Sequence, residues 1–79
     1  MSSIEPNKIA KYWWAGEAGC GSLIVGVKKQ IGQIRHGELL QVTALSAGAS
    51  VDLSAWCRVT GHALVSADHP IYVLRKKGD

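Results

Sequence analysis

The sequence predicts a two-layer α/β sandwich of order βαβαββ, with two helices covering one face of a mixed four-stranded sheet. Three observations lead there. Apolar residues recur with a helical period in two segments and alternate in four others. Glycines and turn residues fall at the joints between those segments. Finally, 79 residues hold one core and no second one, which predicts a single domain over residues 1–79.

Residues 1–7 are polar and are expected to be frayed. Residues 8–15 open with Ile9 and Tyr12 set between Lys8 and Lys11 and are rich in aromatics, the pattern of a strand buried on at least one face. Gly16-Glu17-Ala18-Gly19 reads as a loop, and Cys20 follows it. From Gly21 to Arg35 the period becomes helical. Leu23, Val27, Ile31 and Ile34 form the apolar stripe, and Gly37 is expected to end the helix just behind Arg35. Residues 38–45 alternate again, with Leu40, Val42 and Ala44 against Gln41 and Thr43. Ser50 looks like the N-cap of a second helix over residues 51–60, with Asp52 in its first turn and Gly61 as its end. Two last strands, 63–67 and 71–76, are joined by the turn Asp68-His69-Pro70. Right-handed crossovers make strands joined through a helix parallel where they pair directly, and the final hairpin adds an antiparallel pair.

Composition excludes several classes of function. A chain this short lacks the depth for an enclosed substrate cavity. Nine Lys and Arg against six Asp and Glu leave a net charge of +3. Three of the nine, Arg75, Lys76 and Lys77, stand together at a strand end, which reads as a solvated terminus rather than a nucleic-acid footprint. The aromatics Tyr12, Trp13, Trp14, Trp56 and Tyr72 are not interleaved with basic residues as a stacking platform would be. No apolar run reaches the ~20 residues that a membrane helix needs. No secretion signal is visible, and two cysteines without one argue for a reducing cytoplasm over a disulfide scaffold. Cys20 and Cys57 lie far apart, and His36, His62 and His69 fall at no ligand spacing, so no metal site is expected.

Any chemistry therefore centres on Cys20. A helix start carries about half a positive charge and unpaired N–H donors, which favour the thiolate. Gly16, Gly19 and Gly21 would leave its sulfur uncrowded. The competing reading is a small buried hydrophobe, the commonest fate of a free cysteine. Cys57 shares a helical side with Leu53 and reads as core. His62, following Gly61, is expected to donate to the end of the second helix.

The order of short motifs resembles the TusA/SirA-like family of small sulfur-carrier proteins. The matching stretches are Gly16 to Cys20, Gly37-Glu38-Leu39-Leu40-Gln41-Val42, Trp56 to Val65 through Gly61-His62, and Ile71-Tyr72-Val73-Leu74-Arg75-Lys76-Lys77. Together they span nearly everything from Ile9 to Lys77. The resemblance implies a protein without a cofactor that takes sulfane sulfur as a persulfide on Cys20 from a donor of desulfurase or rhodanese type, and passes it to an acceptor protein. Gly21, Ser22 and Leu23 would offer backbone N–H groups to the sulfur anion, and Lys28 or Arg35 would steer an acidic partner. The chain departs from the family's Cys-Pro-x-Pro motif, reading Cys20-Gly21-Ser22-Leu23. The rival class is a non-catalytic regulatory or nucleic-acid-binding module on the same fold.

Overall fold

A computed structural model describes residues 9–78, so the expected fraying of residues 1–7 lies outside the described part. The elements follow the expected order: β1 (Ile9–Gly16), α1 (Cys20–Ile31), β2 (Leu39–Ala44), α2 (Ala49–Thr60), β3 (Ala63–Asp68) and β4 (Ile71–Arg75). The sheet runs β1-β2-β4-β3. β1 and β2 pair in parallel, with Trp13 beside Val42. β4 lies antiparallel to β2, with Tyr72 beside Val42, and closes a hairpin with β3. β2 and β3 are therefore parallel without touching, because β4 is inserted between them. Register shifts interrupt β1 near both of its ends and β3 between Leu64 and Ser66.

Alternation decides which face is covered. Leu40, Val42 and Ala44 of β2 and Tyr72 and Leu74 of β4 point to one side of the pleat and are buried. They meet Leu23, Val27 and Ile31 of α1 and Ala49, Leu53 and Cys57 of α2 in one cluster. Trp13 and Ala15 of β1 pack against its margin, whereas Tyr12 and Trp14 face the other way and are about two-thirds exposed.

Two helix boundaries differ from expectation. α1 ends at Ile31 rather than running on to Arg35, with Gly32 as its C-cap. The Gln33 and Ile34 N–H groups donate to the carbonyls three residues back, Gln30 and Ile31. This tighter turn explains why the last interval of the apolar stripe is three residues, and it returns Ile34 to the core. Gly37, expected as the helix end, instead takes a left-handed φ of +86° in the turn before β2, and its N–H donates to the Lys76 carbonyl. The second helix begins earlier than Ser50, at Ala49, with Gly48 as N-cap and no side-chain capping bond. Ala49 is fully buried, and core burial outweighs what Ser50 would gain by capping. Gly61 ends α2 as expected, left-handed at φ +90° with its N–H on the Cys57 carbonyl.

His62 donates to the end of α2 through its backbone N–H, which meets the Thr60 hydroxyl at 3.4 Å. Its Nδ1 accepts the Lys77 backbone N–H at 2.9 Å, and its ring stacks on Trp56 with centroids 5.1 Å apart. Burial, and then the charges of Lys77 and Lys76, hold its pKa below the ordinary 6.5. The sign follows. The fold favours the neutral ring, so stability is complete above about pH 6.5 and is lost as pH falls towards the lower folded value. Denaturant melts between pH 7 and 5 should show this decline, and His62→Gln should flatten it. An unchanged slope in the variant would remove His62 from the account.

Candidate functional site

Each helix follows a strand and runs back along the sheet, so both helices start at the same end of the molecule. The carboxyl ends of β1, β2 and β3 lie there, together with the 68–70 turn. That turn is fastened by the Ala44 N–H donating to the Pro70 carbonyl at 2.9 Å, and by a hydrogen bond between His69 Nδ1 and the buried Tyr72 hydroxyl. In open α/β sheets, ligands gather at this edge.

The segment from Gly16 to Ser22 builds the candidate site. Gly16 adopts a left-handed φ of +61°, and a β-carbon on it would lie 3.1 Å from the Trp14 indole nitrogen. Only glycine turns the chain here without strain. The Gly16 carbonyl accepts the Leu45 N–H at 2.7 Å, which ties the loop to the end of β2. Gly19 is extended (φ −75°, ψ 179°) and forms the N-cap, so α1 starts at Cys20. Gly19, Gly21 and Ser22 are exposed, and β-carbons on Gly19 or Gly21 would meet nothing within 4 Å. The first turn thus stands open to approach.

Leu23 plays a different part from the one expected. Its N–H already donates to the Gly19 carbonyl at 2.7 Å, closing the first helical turn, and its side chain is fully buried. Of the three residues expected to cradle an anion, Gly21 and Ser22 are the two whose N–H groups precede the first intrahelical bond. No acidic side chain lies in the first turn of α1, whereas Asp52 lies in that of α2. Of the two helix starts at this end, α1 is the one whose positive pole is not offset by an acid of its own first turn.

The charged side chains are sorted by end. Lys28 and Lys29 of α1, Arg58 of α2, Arg75 of β4, and Lys76 and Lys77 beyond it all sit at the far end from Cys20. Lys11 lies in the same half, paired with Leu40 near the start of β2. Arg35, in the loop before β2, completes the described cations. Three of the four described acids, Glu17, Asp52 and Asp68, are at the Cys20 end. Lys28 and Arg35, expected to steer an acidic partner, thus lie at the end of α1 away from Cys20. Lys28 is eight residues along α1, about 12 Å from Cys20.

Cys57 is a core residue, as expected. It is 4% exposed, and burial pushes its thiol up to about 11. Among the described residues no cluster of His, Cys, Asp and Glu could hold a metal ion, and no helix is long and apolar enough to cross a membrane. Gly21→Ala tests the conformation of the first turn. It fills open space in helical backbone and should raise stability by ~0.5–1 kcal/mol. A lowered melting temperature would count against a regular first turn.

No family model matches the chain. Two Neisseria meningitidis proteins, of serogroups A and B, are 42% identical to it over 48 residues. Both are named "putative sulfur carrier protein". The chain is similar to proteins of that description. The match takes in 61% of this chain and 65% of each Neisseria protein, so just under two thirds of their length is spanned. Bacillus subtilis YrkF, described in the same words, is 34% identical over 56 residues, 71% of this chain and 30% of its own.

Proposed function

We propose that the chain is a sulfur carrier in which Cys20 accepts sulfane sulfur as a persulfide and hands it to a partner protein. The observation that carries this reading is the start of α1: Cys20 is the first helical residue, in an open turn without an acidic side chain. A thiolate at such a position is favoured by the helix dipole, and the thiolate is the attacking form. Similarity to proteins named as sulfur carriers supports the same conclusion.

The chemistry needs no resident cofactor. The Cys20 thiolate attacks the outer sulfur of a donor persulfide, R–S–SH. The donor's S–S bond breaks and the donor leaves as R–S⁻ with the electron pair. A new S–S bond forms, giving Cys20–S–SH, with the proton still on the outer sulfur. Delivery repeats the exchange: an acceptor thiolate takes the outer sulfur and Cys20 departs as thiolate. The N–H groups of Gly21 and Ser22 would stabilise the anion that Cys20 carries before and after each transfer. Donors of desulfurase or rhodanese type and an acceptor with its own cysteine are the partners this scheme requires. A reducing compartment such as the cytoplasm would keep Cys20 free between cycles.

The test is mass. After exposure to a desulfurase with cysteine as its substrate, the intact protein should gain about 32 mass units, removable by reductant. No gain with either a desulfurase or a rhodanese-type donor would reject the proposal.

A further inference from the structure

At the end opposite Cys20, the last turns of α1 and α2 and the tail of β4 enclose an open groove of about 600 Å³. Its base is apolar, made by Ile31, Trp56 and Val59, and its rim carries Lys28, Lys76 and Lys77. Some of this charge has a structural use. Lys76 Nζ donates to the Ile34 carbonyl at 2.7 Å, and lysines near helix C-termini complement the dipole. Lys28 and Lys77 are exposed, and Val59 is 84% exposed. None of the described residues lining the groove is acidic. A cationic rim over an apolar base is complementary to a chain that carries carboxylates beside an aliphatic or aromatic side chain.

We propose that this groove is a docking site for an acidic, apolar-anchored segment of a partner protein, separate from the cysteine. Peptide is favoured over nucleic acid by the state of the aromatic ring. A single-stranded nucleic acid needs a free aromatic face on which a base can stack. Trp56 is half-buried and already stacked by His62, and His62 is held in place by the Lys77 N–H. What remains open is an aliphatic surface with point charges, which suits Glu or Asp next to Leu or Phe. A partner engaged here would leave the start of α1 uncovered, because α1 spans about 18 Å from end to end. The groove could therefore hold one protein while the other end reacts with a second. The proposal does not rest on the sulfur reading, since it concerns residues that take no part in thiol chemistry.

The test uses the full chain, labelled with ¹⁵N and titrated with a synthetic peptide of alternating Glu and Leu at low salt. Amide shifts should concentrate at Lys28, Val59, His62 and Lys77, and should shrink at 0.5 M salt, where ~4–5 Å screening lengths weaken exposed pairs. The double reversal Lys28→Glu/Lys77→Glu should weaken binding about tenfold. Val59→Ser, at an exposed position that leaves the core intact, should weaken it several-fold. Cys20→Ser should bind like the wild type, so failure here and failure of sulfur loading are read separately. Shifts scattered elsewhere, or affinity unchanged in both variants, overturn the proposal. So does tighter binding of single-stranded RNA than of the peptide at the same residues.

Discussion

Cys20→Ser is expected to take up no sulfur from any sulfane donor, whereas Cys57→Ser should load like the wild type. Both cysteines sit on helices, Cys20 at the start of α1 and Cys57 on the core-facing side of α2. Cys57 is packed between α2 and the sheet, and with its thiol raised to about 11 by burial, roughly one molecule in ten thousand is thiolate at pH 7. In-line attack also needs room for the donor's sulfur, and a 4%-exposed side chain offers none. Cys20 opens a helix whose first-turn donors precede any internal hydrogen bond. Limiting iodoacetamide at neutral pH, followed by peptide mapping, should accordingly label Cys20 well before Cys57. Donor-loaded protein analysed by intact mass gives the decisive comparison. Sulfur on Cys20→Ser, or loss of loading in Cys57→Ser, would reverse the assignment.

The second large effect is on stability. Gly26→Ala should destabilise the protein by ~1–3 kcal/mol, although alanine gains about 1 kcal/mol over glycine in helix propensity. A β-carbon on Gly26 would overlap the Cη2 and Cζ2 atoms of the Trp13 ring. The ring is rigid and half-buried beneath α1, so it cannot move aside as a flexible side chain would. At ~4–8 °C per kcal/mol for a domain of this size, the melting midpoint should fall by about 10 °C. Trp13→Leu in the Gly26→Ala background should recover part of that loss. A midpoint raised by Gly26→Ala would mean that α1 and β1 are not in close approach. Gly21→Ala, five residues earlier in the same helix, has the opposite expected sign because nothing lies near its β-carbon.

This contrast marks where the sequence was legible. Hydrophobic period identified every element, because Leu23, Val27 and Ile31 on α1 and Leu40, Val42 and Ala44 on β2 each had to face one core. The helix start at Cys20 was legible from its glycine loop. Gly26 was passed over, although a glycine in mid-helix costs stability and so needs a reason in packing. Its reason, the Trp13 ring, belongs to another element and has no local signature. The end of α1 was misread because a tight turn of three continues an apolar stripe just as a helix does. The insertion of β4 between β2 and β3 is long-range pairing, which spacing along the chain does not encode. Spacing along the chain likewise does not show that Lys28 and Arg35 lie at the end of the molecule opposite Cys20. Being on the same helix, or near its end, says nothing about distance until the axis has a length.

The interruptions in β1 and β3 have a consequence for life in a crowded solution. These are the two edge strands, and β1 carries the exposed Tyr12 and Trp14. A straight edge with such aromatics would be a template on which another copy could add its own strand, the first step towards aggregation. Shifts near both ends of β1 and in the middle of β3 break the even spacing that such addition requires. The molecule can thus keep two large rings in water while offering its neighbours no regular border to extend.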